Sequence, residues 1–116
     1  MSSESEVQGE VVGDRIQLTR GEAAKRPLIQ RLNRIEGQVR GLRKMIEEDR
    51  YCLDEVQQIN ALTAALREVA MAIIAQHVTV GVRVAAESGA SKSGASEAVA
   101  VDDVMRVLRA AMRFDG

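Results

Sequence analysis

The chain has 116 residues, a formal net charge of −1 and 46% apolar residues, yet Tyr51 and Phe114 are its only aromatics. Such a length makes one small domain, and a core of Leu, Val, Ile, Ala and Met favours helix packed on helix over a sheet sandwich. A single cysteine excludes an internal disulfide framework and points to a reducing cytoplasm; neither a signal peptide nor a membrane span is expected, since the longest apolar run, Val69 to Ala75, is short.

Residues 1–22 read as a disordered arm. Ser, Glu, Gly and Asp dominate, and Val7, Val11, Val12, Ile16 and Leu18 show no sustained period. The alternative is an arm that orders on DNA, helped by Arg15, Arg20, Lys25 and Arg26. From Arg15 to Arg50 basic residues outnumber acids, whereas the tail before them leans acidic.

The first helix is expected from near Pro27, a favourable first-turn residue, to about Asp49. Leu28, Leu32, Ile35, Val39, Leu42 and Ile46 alternate in fours and threes and give one narrow apolar seam. Gly37 and Gly41 would admit a second helix backbone, or DNA, at close range. Arg31, Arg34, Arg40, Arg43 and Lys44 surround the seam. A solvated face is the ordinary reading of such charges; the richness in arginine, whose fork suits phosphate oxygens, argues for DNA.

A short turn at residues 49–51 leads into a very long second helix from Tyr51 to Glu87, making a helical hairpin. Cys52, Val56, Ile59, Thr63, Leu66, Ala70, Ile73, His77, Val80 and Val84 follow a 3.5-residue repeat, the seam of a helix that faces other helices. The helix should fray after Gly81 and stop near Gly89. Residues 88–96, rich in Ser and Gly, read as a flexible link. A short third helix from Ser96 to about Arg113 carries Val101, Val104, Met105, Leu108 and Met112 as its stripe. The expected fold class is therefore all-α: a three-helix subunit, residues 23–116, whose exposed seams require a dimer or a dimer of dimers.

Cys52 and His77, the only cysteine and histidine, lie on one helix face but roughly 37 Å apart along its axis. Alone, each reads as a core residue. Together they make a sulfur–nitrogen pair if two copies pack antiparallel, a set suited to Cu(I) or Zn(II). The pair lacks an orienting third group or an oxyanion element, so no enzyme is expected.

The run Arg31-Leu32-Asn33-Arg34-Ile35-Glu36-Gly37-Gln38-Val39-Arg40-Gly41-Leu42, then Tyr51-Cys52 and His77, resembles the copper-sensing operon repressor (CsoR/RcnR) family. The resemblance covers about residues 27–87 and the third helix. It implies a helical dimer of dimers that represses transcription on double-stranded operator DNA and leaves it when an inducer binds. It implies metal ligation by Cys52 of one subunit and His77 of its partner, supported by Tyr51 and Glu97. It implies DNA contacts from the cations at Lys25, Arg26, Arg31, Arg34, Arg40, Arg43 and Lys44. One departure stands out: the family's third ligand position is Gly81, which has no side chain to donate. The expectation is a cytoplasmic repressor with Cu(I) as effector. The alternatives are a family member that senses an electrophile or a sulfur species, and a helical oligomer that binds metal or a protein without regulating DNA.

Overall fold

The computed structural model describes residues 6–90 and 94–113. The order is β1 (Val7–Val12), β2 (Arg15–Arg20), α1 (Glu22–Glu47), α2 (Cys52–Ala90) and α3 (Gly94–Met112). The three expected helices are present, with the second by far the longest. The strands are new: the reading of residues 1–22 as a disordered arm is corrected for residues 7–20, and the all-α subunit gains a two-stranded hairpin. The strands pair antiparallel, Val12 opposite Arg15, across a loop of Gly13 and Asp14. Gly13 has φ 62°, the positive value that a II′-type hairpin loop requires at its first position.

An isolated two-stranded hairpin is marginal in water, so what holds this one is its packing. Ile16 is buried with Val80, Val84 and Ala100, and Val7, Val11, Leu18 and Val104 close the cluster. Gly9 lies so near Val80 that an added Cβ would collide with it. Arg20 Nε donates to Gln76 Oε1 at 2.6 Å and Arg83 Nη1 to the Val7 carbonyl at 3.2 Å, tying both strands to α2.

β2 runs through Gly21 directly into α1, which starts five residues before Pro27 and holds that proline inside its second turn. Glu22, Ala23, Ala24 and Lys25 are adequate helix formers, and a proline so near the start forfeits one hydrogen bond only. α1 ends in a Schellman arrangement. Arg50 N donates to Met45 O at 2.9 Å and Asp49 N to Ile46 O at 3.1 Å, with Asp49 at φ 54°. α1 then packs on the first half of α2 through Ile35, Leu62 and Val69, flanked by Leu28, Leu42 and Ala65.

The expected link at residues 88–96 falls partly outside the described residues; within them α2 continues to Ala90 and α3 begins at Gly94. The buried line of α3 is not the one read from spacing. Ala100 and Asp103 are buried and Val104 half-buried, whereas Val101, Met105 and Met112 are exposed. An acid in the buried line had disguised it.

Two small cores at opposite ends of one helix leave the chain elongated. It measures 63 × 35 × 18 Å, with a radius of gyration of 18.6 Å against about 13 Å for a compact chain of this length. Val56, Ile59, Leu66 and Ile73 of the α2 seam stay exposed, as do Leu53 and Met71. By length and composition Cys52–Glu87 is apolar enough to cross a bilayer, at mean hydropathy 1.6, which corrects the expectation drawn from its longest apolar run. Arg67 and Glu68 nevertheless stand near its middle, and charges there are costly in lipid.

Candidate effector site and DNA-facing helix

Because α2 is one unbroken helix, Cys52 and His77 remain about 37 Å apart along it and do not meet within the chain. Among the described residues no three His, Cys, Asp or Glu side chains gather at a metal-sized spacing. Cys52 is exposed in the first turn of α2, beside an exposed Tyr51.

His77 is placed differently. Its side chain is 12% exposed and its Nε2 lies 2.9 Å from Asp103 Oδ2 on α3. That carboxylate is buried, and the same Oδ2 accepts the backbone N–H of Ile16 at 2.9 Å while Oδ1 accepts Arg106 Nη1 at 3.3 Å. Arg106 also reaches Asp14 in the hairpin loop, at 3.5 Å. A carboxylate surrounded by donors accepts, so Nε2 carries the imidazole proton and Nδ1 keeps a free lone pair. A histidine held this way through one nitrogen is oriented to ligate through the other. Asp103 was not among the sequence candidates; Glu97, which was, is exposed in the first turn of α3 and the acid on His77 is Asp103. The available signal was an acid at the i+3 position from Ala100, beside Val104, in an otherwise apolar line.

Gly81 lies one turn beyond His77 and is buried. A Cβ there would collide with Val104 and stand 3.3 Å from Ile16 Cδ1. The position therefore lacks a donor and lacks the space for one.

On α1, Lys25, Arg26, Arg31, Arg34, Arg40, Arg43 and Lys44 are all exposed. At about 100° per residue they divide into two sets. Lys25, Arg26, Arg40, Arg43 and Lys44 share a sector with Glu22, Glu36 and Glu47, whereas Arg31 and Arg34 lie on the far side, near Gln30 and Gln38 and away from those acids. Gly37 and Gly41 face Arg40 and Gln58 only through side-chain ends at 3.8 and 3.9 Å, so no backbone of this chain uses the space they leave.

Residues 24–110 match the profile of the metal-sensitive transcriptional repressor family. The chain belongs to that family. The copper-sensing transcriptional repressor RicR of Mycobacterium tuberculosis is 51% identical over 65 residues, 55% of this chain and 68% of that protein. The copper-sensing repressor CsoR of Bacillus subtilis is 44% identical over 73 residues, 63% and 72% of the two chains. The crystal structure of CsoR with Cu(I) from Geobacillus thermodenitrificans superposes with a TM-score of 0.66 at 32% identity, over 88% of this chain and 94% of that one. As a metal-sensitive repressor, the chain carries its regulation on α2 and its exposed cations on α1, and the relatives named are repressors and not enzymes.

Proposed function

We propose that this protein is a cytoplasmic, Cu(I)-responsive repressor that binds operator DNA as a homodimer or homotetramer and leaves it when Cu(I) binds between subunits. The observation that carries this reading is the split site. An exposed thiol and an imidazole with a free Nδ1 sit at opposite ends of one long helix whose seam, through Val56, Ile59, Leu66 and Ile73, is exposed in the single chain. Antiparallel pairing of two such helices covers the seam and brings Cys52 of one copy to His77 of the other. The same covering accounts for the hydropathy of α2 without a membrane.

The donor set fits the ion. Thiolate and imidazole are soft to intermediate ligands, and Cu(I) accepts fewer of them than the four that a closed Zn(II) site wants. When bound, Cu(I) supplies a fixed cross-link between subunits. Cys52 contributes the anionic sulfur, His77 the neutral nitrogen, and Asp103 fixes the ring. With Gly81 silent and hemmed in, a third donor comes from solvent or a small thiol. On the DNA side, Arg31 and Arg34 have the best claim to phosphates, because no acid shares their sector of α1.

Gly81 also favours a second reading, in which the exposed Cys52 thiolate answers an electrophile or a sulfur species and not a metal. Operator binding titrated with chelator-buffered Cu(I) separates the two. Release of wild type, but not of Cys52→Ala, at about one Cu(I) per subunit supports the copper reading. Release by an electrophile with no response to Cu(I) overturns it.

A further inference from the structure

Three contacts connect the hairpin to the neighbourhood of His77. Ile16 N–H and His77 Nε2 both meet Asp103 Oδ2 at 2.9 Å. The Ile16 side chain covers Gly81, one turn from His77, and Arg20 at the end of β2 binds Gln76, the residue next to His77. From Arg20 the chain passes through Gly21 alone into α1, and Gly21 N–H is itself bound to Glu6 O at 2.9 Å at the mouth of the hairpin.

We propose that the N-terminal β-hairpin is a strap across the effector site, docked when the site is empty and loosened when it is filled; this rests on the reading of His77 as an effector ligand. Two donors on one oxygen compete for its lone-pair density. An imidazole drawn through Nδ1 toward the neighbouring subunit is a stronger and differently placed Nε2–H donor, and Asp103 follows it at the expense of Ile16. The hairpin is suited to two states, because a two-stranded ribbon has little stability apart from the surface on which it docks. Its release frees the start of α1, where Lys25 and Arg26 stand. Coupling of this kind is reciprocal: whatever loosens the strap in advance must tighten the effector by the same factor.

The test uses the full-length protein and amide hydrogen exchange of residues 7–20. Loading with buffered Cu(I) should speed exchange at Ile16 by about tenfold or more, the scale of losing a hydrogen bond to a charged group. Gly9→Leu, which collides with Val80 and touches neither His77 nor Asp103, should undock the strap and raise Cu(I) affinity by about the factor that Cu(I) changes exchange. If Cu(I) binds and releases DNA while Ile16 exchange and the Gly9→Leu affinity stay at wild-type values, the strap is overturned and the copper reading stands. If Cu(I) does not bind at all, the copper reading fails and metal-free variants decide the strap. His77→Ala should then speed Ile16 exchange and His77→Gln, which keeps a donor near the Nε2 position, should restore it. Equal exchange in wild type and both variants overturns the proposal.

Discussion

Ile16 and His77, 61 positions apart in the chain, are hydrogen-bonded to the same oxygen of Asp103, each at 2.9 Å. A backbone amide of the N-terminal hairpin and the candidate ligand of the long helix are thereby fixed by one buried carboxylate. Its removal strands two donors at once.

Asp103→Ala should therefore lower stability by about 1–3 kcal/mol, the cost of leaving buried polar partners unpaired. Glu97→Ala, at an exposed position, should stay within about 0.5 kcal/mol of wild type. Urea midpoints at one fixed protein concentration make the comparison. Equal losses in the two variants would show that Asp103 does not hold the hairpin and His77 together.

Two opposed effects meet at Gly81. Helix propensity alone predicts that Gly81→Ala stabilises α2 by about 1 kcal/mol. The collision with Val104 predicts a loss of about 1–3 kcal/mol from overpacking. We expect packing to win and Val104→Ala to recover part of the loss in the double variant. A more stable Gly81→Ala protein would contradict the placement of α3 and the hairpin. The same crowding means that Gly81→Cys adds a thiol only by displacing its neighbours.

Gly37 gives the opposite expectation. Nothing but the Arg40 side chain lies within 4 Å of an added Cβ. Gly37→Ala should raise thermal stability, by up to about 1 kcal/mol. If stability rises while operator affinity falls, the glycine is kept for the approach of DNA. If stability falls, another subunit packs there.

Arg34→Ala and Arg31→Ala should each reduce the slope of log affinity against log salt by about 0.9, the release of one phosphate contact. Arg43→Ala, in the sector that holds Glu36 and Glu47, should change the slope less. Sedimentation must show the same assembly for all three. Identical slopes in wild type, Arg31→Ala and Arg34→Ala would remove this face of α1 from the DNA interface.

Leu66 is 50% exposed in the single chain although it stands in the centre of the seam. Leu66→Asp should lower the assembly state or prevent folding, since an unpaired carboxylate is expensive to bury. Sedimentation equilibrium reads the outcome, and an intact oligomer carrying this aspartate would place the subunit interface elsewhere.

By itself the sequence determined the helices and the oligomeric logic, because both depend on local periodicity. The heptad spacing of Cys52 to Val84 specifies a long helix with a face too apolar to leave wet, and the lone cysteine and histidine on that face specify a site split between copies. The hairpin was written more faintly. Val7, Gly9 and Val11 alternate, as do Ile16, Leu18 and Arg20, about a Gly13–Asp14 loop, yet the surrounding Glu and Ser outweighed this short period. Only tertiary structure made the strands stable, by seating Gly9 on Val80 and Ile16 beside Gly81. It alone chose Asp103 over Glu97 as the partner of His77, since which acid reaches the imidazole depends on how α3 docks back onto α2. Spacing along a helix fixes which residues share a face, but the partner of a buried polar group is fixed by the element that packs over it.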